Sequence, residues 1–189
     1  ISVRQGITDS LMIVDMPYNT YNKPSQALKN CKKVMKLTKC DGLKIEGGLK
    51  KIKIIKHLIK NKIPVMGHLG ILPQSTKGKF KSKGKSIKER NELIRDCKIL
   101  EDAGVFSIVL ECVESKLARH ITNLIKIPTI GIGSSNNCDG QILVIDDILG
   151  LTESKMKFVK KYADVKKIIA FGAKKFKKEV KSKKYPSQK

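Results

Sequence analysis

The chain has 189 residues and a mass of 21.1 kDa, room for one ordinary domain with a real core. Hydrophobic residues at 40% against 30% charged, 14 Gly, 6 Pro and no Trp exclude a disordered, collagen-like or disulfide-dense chain. No apolar run approaches the roughly 20 residues of a membrane span, and ISVRQGITDS at the start lacks the basic and apolar regions of a signal peptide, so a cytoplasmic protein without a membrane partner is expected.

The net charge of +23 points first toward nucleic acid, because neutralised phosphates release counterions. The basic residues argue against it. Only Arg4, Arg90, Arg95 and Arg119 are arginines; the other 36 are Lys, which lack the planar fork used to read base edges. They recur on polar faces from Lys23 to Lys189, as solvated cations do, and no specific nucleic-acid partner is expected. Cys31, Cys40, Cys97, Cys112 and Cys138 are an odd set without a C-x-x-C pair and read as reduced thiols.

In chain order, residues 11–15 (LMIVD) form a short apolar run closed by an acid, and Pro17 blocks helical continuation, which predicts a buried strand ending in Asp15. Pro24 starts a helix in which Ala27, Cys31, Val34, Met35 and Thr38 recur at helical spacing, up to Gly42. Alternation over 43–46 predicts a strand with Lys44 and Glu46 on one face. A helix over 50–62 carries Ile52, Ile55, Leu58 and Ile59 on one stripe. The unit then repeats: a strand over 63–68 ending in His68, a long loop over 70–86, a helix over 87–103, a strand over 105–113 containing Glu111, and a helix over 115–125. Strands over 128–132 and 141–145, a helix over 154–180 and a basic tail over 181–189 complete the chain.

Six strands separated by helices require parallel pairing with right-handed crossovers, hence an α/β fold in a single domain. Asp15, Glu46, His68 and Glu111 all fall near strand C-terminal ends, where a (β/α)8 barrel keeps its chemistry. A lone acid of this kind is more often a helix cap or ion-pair partner than a functional group, whereas His68 reads equally as a core histidine or a substrate donor. Together, two carboxylates and a cation can hold Mg2+, a hard ion content with one or two protein oxygens, leaving Glu111 for proton transfer. His57 and His120 read as surface residues. The glycines around Lys85-Ser86 are spaced wrongly for a phosphate loop, and Gly131-Ile132-Gly133 lacks the third glycine of a dinucleotide fingerprint.

The segments VDMPYNTY (14–21), LKIEGG (43–48), PVMGHLGILPQS (64–75), VLECV (109–113), IPTIGIGSSNNCDGQILVIDDILG (127–150) and KFVKKYA (157–163) resemble the ketopantoate hydroxymethyltransferase family, in the family's order and spacing. The resemblance implies a cytoplasmic, usually decameric enzyme of pantothenate biosynthesis built as a (β/α)8 TIM barrel. It implies Mg2+ as cofactor and 5,10-methylenetetrahydrofolate as co-substrate. Carried over by motif, Asp15 ligates Mg2+ and contacts 3-methyl-2-oxobutanoate, Lys44 binds that substrate, Glu46 sits at the metal, Glu111 accepts the proton and His68 lines the site. Chelation of the 2-oxo acid would let a positioned carboxylate remove the C3 proton, leaving an enolate to attack the folate-borne carbon and give 2-dehydropantoate.

The family's first two strands, with a Gly-Asp-Ser segment supplying another metal ligand, precede the point where this chain begins at Ile1. The resemblance therefore implies a barrel lacking its first two βα units here, with two open sheet edges and little activity from 1–189 alone. In the loop over 77–85, Lys85 stands where the family has Arg, losing a bidentate donor. The competing expectations are a related Mg2+-dependent 2-oxo acid lyase, which needs no folate, and an inactive remnant.

Overall fold

In the computed structural model, residues 2–76, 81–154 and 156–187 are described. A one-turn helix α1 (Ser2–Gln5), which carries no apolar periodicity and was not expected, precedes β1 (Ile13–Asp15), α2 (Pro24–Thr38) and β2 (Gly42–Glu46). A 3-10 turn, Leu49–Lys51, leads into α3 (Ile52–Lys60), β3 (Val65–Gly70), α4 (Ile87–Ala103), β4 (Ser107–Glu111), α5 (Ser115–Leu124), β5 (Thr129–Ile132) and β6 (Gly140–Gln141). The strands form one sheet in chain order, β1 to β6, with every neighbouring pair parallel. A helix crosses between each pair of successive strands from β1 to β5, as parallel neighbours ordinarily require, and a short loop over 133–139 brings in the two-residue β6.

The helix ends follow local chemistry. Pro24 stands at the first turn of α2, where its missing N–H is no loss, and Lys39 closes the helix in the left-handed region. Ser86 caps α4 by accepting the Glu89 N–H, and Gly104 ends it at φ 89°. Glu114 caps α5, accepting the N–H groups of Lys116 and Leu117 while holding Arg90 at 3.0 Å.

Side-chain alternation divides each strand between two chemistries. Leu43 and Ile45 of β2 and Ile108 and Leu110 of β4 are wholly buried, and they join a core with Ile55 and Leu58 of α3, Leu100 of α4 and Ile121 of α5. Each such side chain stabilises by about 1.5–3 kcal/mol. Lys44, Glu46 and His68 occupy alternate positions. All five cysteines are free; burial pushes the Cys31 thiol up to about 11 and that of Cys97 up to about 12.

Two predicted elements differ. The strand expected over 141–145 ends at Gln141, and Ile145 opens α6 (Ile145–Ile148), whose first turn holds Asp146 and Asp147. Acids there satisfy a helix N-terminus better than a strand. The helix expected from residue 154 begins at Val165 as α7 (Val165–Lys181), capped by Asp164. The N–H groups of Tyr162, Ala163 and Val165 are spent on the carbonyls of Ile148 and Leu149, so this stretch folds back on α6 and does not extend the helix. The chain divides into two compact units, Ile1–Ile142 and Leu143–Lys189, where the sequence reading treats 1–189 as one barrel domain. All six strands lie in the first. Among the described residues, no helix is long and apolar enough to cross a membrane.

Gly70, the last residue of β3, has φ 96°, and a Cβ there would overlap the Glu111 carbonyl. Gly70→Ala is expected to cost about 3 kcal/mol by combining backbone strain with overpacking, read as a lowered urea midpoint at unchanged slope.

Candidate active site

Register places the polar residues. Asp15 lies opposite Lys44, Glu46 opposite His68, and Gly70 opposite Glu111, so each pair of partners stands further along the sheet than the last. Because strand side chains alternate, Lys44 and Glu46 share one face while Leu43 and Ile45 enter the core. The structure thereby brings together all five residues singled out in the sequence.

They form a connected line. Lys44 Nζ stands 3.0 Å from Asp15 Oδ1 and 3.1 Å from His68 Nδ1, and His68 Nε2 stands 3.1 Å from Glu111 Oε2. Glu46 Oε1 lies 3.8 Å from His68 Nδ1. An ammonium can only donate, so the Lys44 contact leaves Nδ1 as acceptor and puts the neutral ring's proton on Nε2, toward Glu111. At 1% exposure the ring is sealed from water, yet Nε2 has no well-angled hydrogen-bond partner among the described residues despite its closeness to Glu111. A buried donor left in this state costs free energy and marks a place for an incoming acceptor.

Exposure grades the acids. The Asp15 side chain is 60% exposed, Glu111 15% and Glu46 7%. Burial lifts the Glu46 carboxyl above the usual carboxylate range, against the opposing effects of His68, the Gln74 N–H and Lys44. Asp15, Glu46 and Glu111 set three carboxylates against one ammonium, an excess of negative charge in a chain of net +23. That donor set fits Mg2+. Among the described residues no group of three His, Cys, Asp or Glu could cage a metal unaided, but Mg2+ takes one or two carboxylates and completes its shell with substrate and water.

Two residues of the site escaped sequence reasoning. Tyr21, 4% exposed, donates its hydroxyl to Gln74 Oε1 at 2.6 Å, and the Gln74 N–H donates to Glu46 Oε2 at 3.2 Å. Both stand inside matched motifs, VDMPYNTY and PVMGHLGILPQS, which were the available signal. His57 and His120 lie on α3 and α5, half-buried and exposed respectively. Of the Lys-rich loop over 77–85, residues 77–80 lie outside the described residues; Lys83 pairs with the chain beside Glu111, its N–H donating to the Cys112 carbonyl.

The family model for ketopantoate hydroxymethyltransferase matches residues 1–188. The chain belongs to the ketopantoate hydroxymethyltransferase family. A 3-methyl-2-oxobutanoate hydroxymethyltransferase of Pelagibacter ubique is 61% identical over the whole chain, which covers 73% of that relative. One of the same name from Chlorobaculum tepidum is 44% identical over 95% of this chain and 66% of its own length. The chain thus spans about two thirds to three quarters of the curated relatives it matches. Among solved structures, an uncharacterized conserved protein from Geobacillus kaustophilus superposes with a TM-score of 0.50 at 10% identity, covering 78% of this chain and 72% of that one. That likeness concerns the fold alone. Membership of this family makes the chain a transferase.

Proposed function

We propose that the chain transfers a hydroxymethyl group from 5,10-methylenetetrahydrofolate to 3-methyl-2-oxobutanoate, giving 2-dehydropantoate for pantothenate biosynthesis. The observation carrying this reading is the line Asp15–Lys44–His68–Glu111, with an unpartnered buried N–H at His68 Nε2 beside a carboxylate. It provides a cation for an anionic substrate, a donor for its oxygen and an acceptor for its proton.

Asp15 and Glu46 would hold Mg2+, which when bound would supply the positive charge that acidifies the carbon next to the 2-oxo group. Lys44 would neutralise the substrate carboxylate, and its two contacts, at 3.0 and 3.1 Å, keep the ammonium fixed while it does so. His68 would steady a substrate oxygen through its Nε2–H, a role its tautomer allows because Lys44 occupies Nδ1. Glu111 would accept the C3 proton. The electron pair released at C3 would then form the new C–C bond to the one-carbon unit as its two bonds to the folate nitrogens break; a water molecule supplies the hydroxyl oxygen, and its second proton together with the C3 proton restores both N–H groups of tetrahydrofolate. We further propose that the six strands belong to a (β/α)8 barrel wall, and that the protein works as a cytoplasmic homo-oligomer, as the family resemblance implies.

The test is product analysis. Incubation with 3-methyl-2-oxobutanoate and Mg2+ is expected to give 2-dehydropantoate only when 5,10-methylenetetrahydrofolate is also present. Cleavage of the 2-oxo acid without folate would instead mark a lyase.

A further inference from the structure

Three loops meet at one pair of side chains that contributes no charge to the site. Tyr21, in the loop after β1, is buried, and Lys51, from the turn after β2, places its Nζ 5.0 Å from the centre of the Tyr21 ring. The hydroxyl donates to Gln74 Oε1, in the loop after β3, at 2.6 Å. Gln74 in turn donates from both its side chain and its backbone. Its Nε2 donates to the Met16 carbonyl at 2.9 Å, next to Asp15, and its backbone N–H donates to Glu46 Oε2 at 3.2 Å.

Only an amide does both jobs. A carboxylate could accept from Tyr21 but not donate to Met16, and it would stand as a like charge beside Glu46; a leucine could do neither. The Gln74 backbone is therefore pinned from two sides, and its N–H is held on one oxygen of Glu46. Glu46 Oε1 is left facing His68 Nδ1 at 3.8 Å. Without the pin, a half-buried loop residue would have little to keep its N–H on a buried carboxylate.

We propose that Tyr21 and Gln74 are positioning residues, a latch that joins the loops after β1, β2 and β3 and sets the orientation of Glu46, which would hold Mg2+ against the 2-oxo acid. The latch rests on the proposed function only for what Glu46 then binds. The hydrogen-bond arrangement stands apart from it.

Two readouts on the full chain separate the two ideas. Amide hydrogen exchange at residue 74 is expected to quicken by about tenfold in Tyr21→Phe, since the bond to Glu46 loses its support. Titration with 3-methyl-2-oxobutanoate in Mg2+ is expected to show binding weakened about fivefold in Tyr21→Phe and more in Gln74→Ala, with Gln74→Glu failing to rescue and the double variant no worse than Gln74→Ala. Unchanged exchange at residue 74 in Tyr21→Phe overturns the latch, as do additive losses in the double variant. Faster exchange with unaltered 2-oxo acid binding overturns its positioning role. Faster exchange in a protein whose unmutated form does not bind the 2-oxo acid supports the latch and overturns the proposed substrate.

Discussion

Glu111→Gln is expected to lower turnover about a thousandfold while leaving the fold intact, because general-base catalysis by a positioned side chain is worth about 10²–10⁴. The amide keeps the shape of the carboxyl and an oxygen that can face His68 Nε2, which stands 3.1 Å from Glu111 Oε2. What it loses is the ability to take a proton. It also removes one of the charges that press the Glu46 carboxyl upward, so Glu46 gains no new burden. Thermal unfolding should therefore match the unmutated protein, and the loss should fall on kcat with KM nearly unmoved. A fall in melting temperature equal to that of a core truncation would show that Glu111 is structural.

Lys44→Met is the second large effect, and unlike Glu111→Gln it should move KM as well as kcat. The ammonium is shared between Asp15 and His68 at 3.0 and 3.1 Å, and its side chain is 15% exposed. Methionine fills the stem's volume and removes the charge. Losing a charge-assisted contact to substrate costs about 1.5–3 kcal/mol, a rise in KM of about 10- to 150-fold. With Nδ1 freed, the His68 ring can carry its proton there, toward Glu46 Oε1 at 3.8 Å, and Nε2 then ceases to be a donor. A drop in kcat should accompany the rise in KM. Lys44→Arg should not restore either, since a planar fork cannot reproduce a point charge held between two acceptors. Separate determination of kcat and KM for the three proteins checks this.

Much of the first unit was legible because its signals are periodic. The helix over 87–103 is bounded by Ser86 and Gly104, both strong punctuation, and the structure places α4 on those residues. The strand pattern at 43–46 fixes which face Lys44 and Glu46 share, since a period of two admits no other answer. Legibility failed where tertiary bonds override local pattern. The apolar run at 142–145 reads as strand, but after the Ile142 N–H donates to the Gly131 carbonyl the chain turns into α6, and the strand ends at Gln141. Residues 162–165 look helical, yet the N–H groups of Tyr162, Ala163 and Val165 go to the carbonyls of Ile148 and Leu149.

The site was legible in its charged members and silent in its neutral ones. Acids and a histidine at strand ends announce themselves because burying them is costly. Tyr21 and Gln74 carry no such cost in the sequence. Their significance lies in distances of 2.6 and 3.2 Å between loops separated by tens of residues, which no local pattern encodes.

The most direct measurement is exchange of the C3 proton of 3-methyl-2-oxobutanoate in deuterated water, followed by NMR, for the unmutated protein and Glu111→Gln, with and without Mg2+ and without folate. If Glu111 is the proton acceptor, exchange requires both Mg2+ and Glu111 and proceeds in the absence of the one-carbon donor. Exchange that persists in Glu111→Gln at the unmutated rate would contradict that assignment.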